Sequence, residues 1–337
     1  MSREDFRSIY ACGIVVLLVA ITANSVFVSS MDEGMKKEGM AGETEYRGVR
    51  LNMVTNYFLI VRQPILFLIW MDFVSVDYLK SINVNAVSIL LGYVVSRNGD
   101  INPIPFSFSL AGYYIKQFHD AGMAVALTPI FISKNFVFGL MPESILQTDN
   151  FWRNLENRTV ETAEFAEEQN VEIFFSSNEL ELVIGWERAL NFSKKILPEV
   201  RTVFTGKVGW QGWLRGLVDM DVFNFNGTVK LSVPLDMFNF TGYDIYGMTA
   251  DVGQDIKNSV ESFAEGFIAL GEKISRQSNT SFLLPELFGR TPATEQLLRF
   301  YFEAAEGRVV GYFPIYTVWK KSFFDDFVKE FYSEIQE

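Results

Sequence analysis

Two short stretches of the chain set a glutamate directly after an apolar run: Phe174-Phe175-Ser176-Ser177-Asn178-Glu179 and Phe282-Leu283-Leu284-Pro285-Glu286. A carboxyl group can serve as acid, base or nucleophile. Two that face each other are the minimum equipment for cleaving a glycosidic bond. One protonates the departing oxygen while the other attacks the anomeric carbon, at a separation of about 5–5.5 Å when configuration is retained. Other chemistries are poorly supplied. His119 is the only histidine and Cys12 the only cysteine. A Ser-His-Asp triad would therefore have to be built on one residue, and multi-histidine or cysteine metal sites and internal disulfides are excluded. No metal or organic cofactor is implied. Glu181 competes with Glu179, since the two would share a face if the strand ran on past Asn178. Glu179 is preferred because Asn178 precedes it and Glu181 lies farther into the loop.

The elements that must position these residues alternate between short apolar strands and longer amphipathic helices. Strands are expected at 46–53, 85–95, 124–132, 171–182, 201–210, 242–250, 281–289 and 307–319. Helices are expected at 108–123, 151–169, 187–200, 255–275 and 295–305. Strands apolar on both faces, separated by helices, predict a parallel sheet under helical cover. Eight such strands favour a closed (β/α)₈ barrel over an open doubly wound sheet, and no glycine-rich phosphate loop follows any strand. Active sites of such barrels lie at the C-terminal ends of the strands. Glu179 closes the expected fourth strand and Glu286 the seventh, with Trp210 ending the fifth and Trp319 the eighth.

The 337 residues carry a net charge of −12, without a basic stripe that could neutralise phosphates, which argues against nucleic acid as a partner. Aromatic residues make up 15%, enough for a large core and for sugar-stacking walls. No charged residue occurs between Ser8 and Met31, a run long enough to cross a bilayer as a helix. Residues 1–30 are thus expected to be a signal anchor or a cleaved signal peptide, residues 31–45 a polar linker, and residues 46–337 the barrel. Asn-x-Ser/Thr sequons at Asn157, Asn191, Asn226, Asn239 and Asn279 fit an extracytoplasmic glycoprotein. That places the chain at the cell membrane with its barrel outside, or secreted if the segment is cleaved. A second apolar run, Tyr57–Val76, contains Arg62, Pro64 and Asp72. It reads as a buried first helix or a lipid-facing patch rather than a second span.

With these motifs in order, the chain resembles glycoside hydrolases of clan A, nearest to the β-mannanase-like barrels of family 113. The resemblance covers roughly residues 46–320. It rests on the Asn178-Glu179 pair, on HDAGMAVALTP at 119–129, on NELELVIGW at 178–186, on YDIYGM at 243–248 and on LPELFG at 284–289. It implies that Glu179 is the acid/base, that Glu286 is the nucleophile, and that Asn178 hydrogen-bonds the sugar 2-hydroxyl. It also implies that Trp319 floors the reacting-sugar subsite. Tyr246 is a looser candidate for orienting Glu286, and Trp210 a candidate to stack on a neighbouring sugar. Two features depart from the pattern. The third strand closes with apolar Pro129-Ile130-Phe131, and no histidine is available to the subsite. The expected activity is hydrolysis of a β-linked oligo- or polysaccharide with retention, β-mannan being the candidate substrate. The competing expectations are a non-catalytic barrel that binds glycans or proteins at the cell surface, and a scaffolding subunit of a membrane complex.

Overall fold

The computed structural model describes residues 44–51, 75–133, 141–213, 235–246, 254–288, 292–316 and 324–335. The apolar N-terminal run, most of Tyr57–Val76, Asn226 and Trp319 lie outside these residues. No helix among the described residues is long and apolar enough to cross a membrane.

Nine strands form one sheet: β1 (Tyr46–Leu51), β2 (Ala86–Val95), β3 (Ile101–Pro103), β4 (Ala124–Ser133), β5 (Ile173–Phe175), β6 (Lys207–Trp213), β7 (Phe240–Tyr246), β8 (Ser281–Phe288) and β9 (Gly311–Tyr316). Eight of them run parallel, and β1 pairs with both β2 and β9, which closes the sheet into a barrel. The ninth, β3, folds back antiparallel on the end of β2. No expectation from the sequence included this hairpin. The barrel strands one to eight are therefore β1, β2 and β4 through β9.

The helices between them form as their sequences direct. Helix α1 (Val76–Ser81) is short, and α2 (Ser107–Asp120) is followed by α3 (Glu143–Leu146). Helix α4 (Asp149–Glu168) is capped by Thr148, whose side chain accepts from the Phe151 amide, and it buries Phe151, Leu155, Thr159, Ala163 and Ala166 along one stripe. Helix α5 (Glu181–Ile184) is a single turn, and α6 (Trp186–Val203) follows. Helices α7 (Gln254–Gln277) and α8 (Pro292–Ala305) cover the far side. A π turn at Phe324–Val328 leads into α9 (Lys329–Glu334).

Two expected boundaries move. Residues 201–203, read as the start of a strand, complete α6, which continues through Pro198. The expected fourth strand, 171–182, is a strand only from Ile173 to Phe175. The chain then leaves the sheet, and Glu181 opens a helical turn.

Alternation divides the strand residues between two cores. Val87, Ile89, Val125 and Leu127 face the helices, while Tyr46, Ala86, Ala126, Ile173, Phe175, Phe240, Leu283 and Phe313 fill the barrel floor. Glycines make room for the large rings there. A β-carbon on Gly48 would sit 2.3 Å from Phe313, and one on Gly209 2.3 Å from Phe175. The seam between β1 and β9 is fastened from outside. Tyr332 of α9, fully buried, donates its hydroxyl to the Gly48 carbonyl at 2.6 Å and lies 3.3 Å from that of Tyr312.

Candidate active site

Above the apolar floor the inward positions become polar. Arg50 follows Tyr46 and Gly48 on the inner face of β1, and its whole side chain is buried, at 0% exposure. Burying a guanidinium is costly unless its charge is paired and most of its donors are hydrogen-bonded; here, among the described residues, Nε alone is buried without a hydrogen-bond partner. Nη1 lies 3.1 Å from Glu286 Oε2 and donates to the Pro285 carbonyl at 3.1 Å, while Nη2 donates to Asn178 Oδ1 at 2.5 Å. One arginine from barrel strand one thus ties together the ends of strands four and seven.

Glu286 owes its place to an irregularity in β8. The pairing register slips between Leu284 and Leu287 against β9, and between Gly242 and Ile245 against β7. Pro285, which has no N–H to give to a ladder, sits in this slip. Bulges of this kind re-aim side chains, and they recur next to active sites. Glu286 is turned into the barrel at 7% exposure.

Glu179 is placed by a different device. The Asn178 amide donates to the Pro129 carbonyl of β4 at 3.1 Å, and Glu179 then adopts φ 44°. This left-handed conformation is costly for a side-chain-bearing residue, on the order of 1–3 kcal/mol. It turns the chain out of the strand and into α5, whose first bond runs from the Leu182 amide to the Glu179 carbonyl at 3.0 Å. Glu179 is left at 5% exposure.

Two further polar residues complete the layer. Gln211 of β6 donates through Nε2 to Asn178 Oδ1 at 2.6 Å and to Asp244 of β7, whose oxygens lie at 2.9 and 3.0 Å. Burial, then the charge of Glu286, then that of Glu179 push the Asp244 carboxyl well above the ordinary carboxylate range, against the opposing pull of Arg50 and Gln211. Both glutamates thus lie near enough to Asp244 for their charges to act on it. Among the described residues no group of three or more His, Cys, Asp or Glu is arranged to hold a metal ion.

Of the residues singled out in the sequence, Glu179, Glu286 and Asn178 come together here. Trp210 does not. With Gln211 turned into the barrel its neighbour must turn out, and the Trp210 ring packs between wall and helices against Trp186 and Tyr243. Glu181 is on that outer side too, 3.2 Å from where a β-carbon on Gly212 would stand. Tyr246 ends β7 in register with Phe288, and Trp319 is outside the described residues. At the end of strand three, Phe131 is buried in a stack on Tyr93. His119 belongs to the opposite rim, where it meets Glu172 beside the start of β4. Arg50 and Gln211 were not anticipated from the sequence. The signal that could have found them is a polar residue at an inward position of an otherwise apolar strand.

No family model matches the sequence, and no curated protein matches it. Solved structures do match in fold. The chain is similar to a family 113 β-1,4-mannanase at TM-score 0.54 and 12% identity, over 86% of this chain and 98% of that one. It is similar to the family 113 β-mannanase of Alicyclobacillus acidocaldarius at 0.57 and 11%, over 91% and 99%. Thermotoga maritima Cel5A in complex with a mannotriose substrate matches at 0.53 and 13%, over 74% and 88%. The chain shares the (β/α)₈-barrel fold of these glycoside hydrolases, the architecture expected from the sequence.

Proposed function

We propose that the chain is a retaining β-glycoside hydrolase. In this reading Glu179 protonates the glycosidic oxygen, and Glu286 attacks the anomeric carbon to form a glycosyl-enzyme. Glu179 then takes a proton from the water that releases the sugar. The observation that supports the reading is the buried link from Arg50 to Glu286 and Asn178, which ties the Glu286 carboxylate of strand seven to the residue that precedes Glu179 after strand four. Similarity to two β-mannanases and to an enzyme in complex with a mannotriose substrate makes β-mannan the first substrate to try. On sequence grounds the chain is proposed to act outside the cytoplasm, tethered or released through residues 1–30.

The test is release of reducing sugar from a panel of β-linked glycans by the full chain, beside Glu179→Gln and Glu286→Gln. Both variants should lose at least about a thousandfold in turnover on a glycan, the scale of losing an acid/base or a nucleophile. On an aryl glycoside whose leaving group needs no protonation, Glu179→Gln should still form the glycosyl-enzyme, and Glu286→Gln should not. Activity surviving in Glu286→Gln would sink the assignment. A second reading, a barrel that binds glycan without cleaving it, is favoured by the apolar end of strand three. Saturable glycan binding with no release by a folded wild type would select it.

A further inference from the structure

The hydrogen bonds around Asn178 have a direction that Arg50 dictates. A guanidinium only donates, so the Asn178 atom 2.5 Å from Nη2 must be the oxygen. That same oxygen is 2.6 Å from the Gln211 amide, which must therefore present Nε2 to it. The second hydrogen of Nε2 then falls to Asp244, whose two oxygens are 2.9 and 3.0 Å away. Each amide orientation follows from the one before it, along a line crossing barrel strands one, four, five and six. Both lone pairs of Asn178 Oδ1 are taken, so Nδ2 is the part of that side chain left for a ligand, and Nδ2 can only donate.

We propose that Asp244 and Gln211 are positioning residues that lock the Asn178 amide in this one orientation, so that a bound sugar is required to offer an oxygen lone pair to it. Asp244 acts by holding Gln211, and Gln211 by holding Asn178. Neither has to touch the ligand. Asp244 suits the task because either of its oxygens lies within reach of Nε2, at 2.9 and 3.0 Å, so that one acceptor is always presented to it. Gln211 is committed to it, at 2% exposure and with its own Oε1 buried and without a hydrogen-bond partner. The inference rests on the glycosidase reading of the site and adds two residues to it.

Kinetics of Asp244→Asn, Asp244→Ala, Gln211→Leu and the double variant Asp244→Ala/Gln211→Leu on the cleaved glycan test the idea, together with crystal structures of the single variants. Asp244→Asn keeps an acceptor and should stay within about threefold of wild type. Asp244→Ala and Gln211→Leu should each lose about tenfold to a hundredfold in kcat/KM, the scale of one buried polar contact left unmet. The double variant should be no worse than Gln211→Leu, because the two act in series. In the crystal structure of Asp244→Ala, the amides of Gln211 and Asn178 should have turned or shifted. Gln211→Leu should displace Asn178 in the same way if Asp244→Ala does not fold. Unmoved amides, multiplying losses in the double variant, or an Asp244→Asn as damaged as Asp244→Ala would each overturn the proposal. Failure of wild type to cleave any glycan would instead count against the glycosidase reading, and the amide positions would still decide this one.

Discussion

Arg50 meets three acceptors on two segments: a carboxylate and a backbone carbonyl of β8, and the amide oxygen of Asn178. A planar fork can do this, whereas an ammonium group on a flexible stem is a single point of charge. Arg50→Lys should therefore keep the charge and lose the geometry. The expected outcome is a fall of at least tenfold in kcat/KM, with a lowered melting temperature. Removing the charge altogether, as in Arg50→Met, takes the Arg50 cation away from the buried Glu286 carboxylate, and breaking such a pair costs about 3–5 kcal/mol. Denaturant unfolding of the two variants beside wild type checks both statements. An Arg50→Lys as active as wild type would show that the fork is dispensable.

At the scale of the element, the slip in β8 is shaped by its neighbour. A β-carbon added to Gly242 of β7 would stand 2.7 Å from Cγ of Pro285, closer than any real contact, and Glu286 is the next residue along. Gly242→Ala should leave a folded barrel whose Glu286 has shifted. Turnover should fall at least tenfold, while the far-ultraviolet spectrum stays that of wild type; unchanged turnover would mean that Pro285 yields without moving the carboxylate. The distribution of what was readable in the sequence follows the same physics. Strand–helix alternation is set by periodicity within each segment, so the barrel was legible, as was the position of Glu179 after strand four and of Glu286 near the end of strand seven. Arg50, Gln211 and Trp210 needed the register of closed neighbours to show which face each takes. The stretch after Phe175 reads as β-rich, because composition does not reveal that Glu179 is left-handed. Residues 201–203 include Thr202 and Val203, β-branched residues typical of strands, yet the chain keeps them helical as the last turn of α6.

For the molecule as a whole, the buried acids set a pH dependence. Asp244, fully buried, titrates in the folded state well above its unfolded value near 4. Its environment thus favours the native state while it is protonated. That contribution is complete below the unfolded value and is lost as pH rises through the folded one. The groups facing it are Glu286, Glu179, Arg50 and Gln211. Asp244→Asn removes the titration but keeps an acceptor, so its melting temperature should exceed that of wild type by a margin that widens as pH climbs above about 4. Melting curves across that range decide it, and a constant margin would count against a buried, titrating Asp244. The fastening of the barrel seam has a further consequence, which concerns synthesis. β1 emerges from the ribosome early, yet Tyr46 pairs with Gly311 and Gly48 is held by Tyr332. Until those residues have been translated the first strand has an open edge, and Arg50, its acceptors on strand seven still unmade, has reason to stay in water. Closing the seam and burying that charge therefore belong to one late step, so a nascent chain acquires its barrel and its buried acids together.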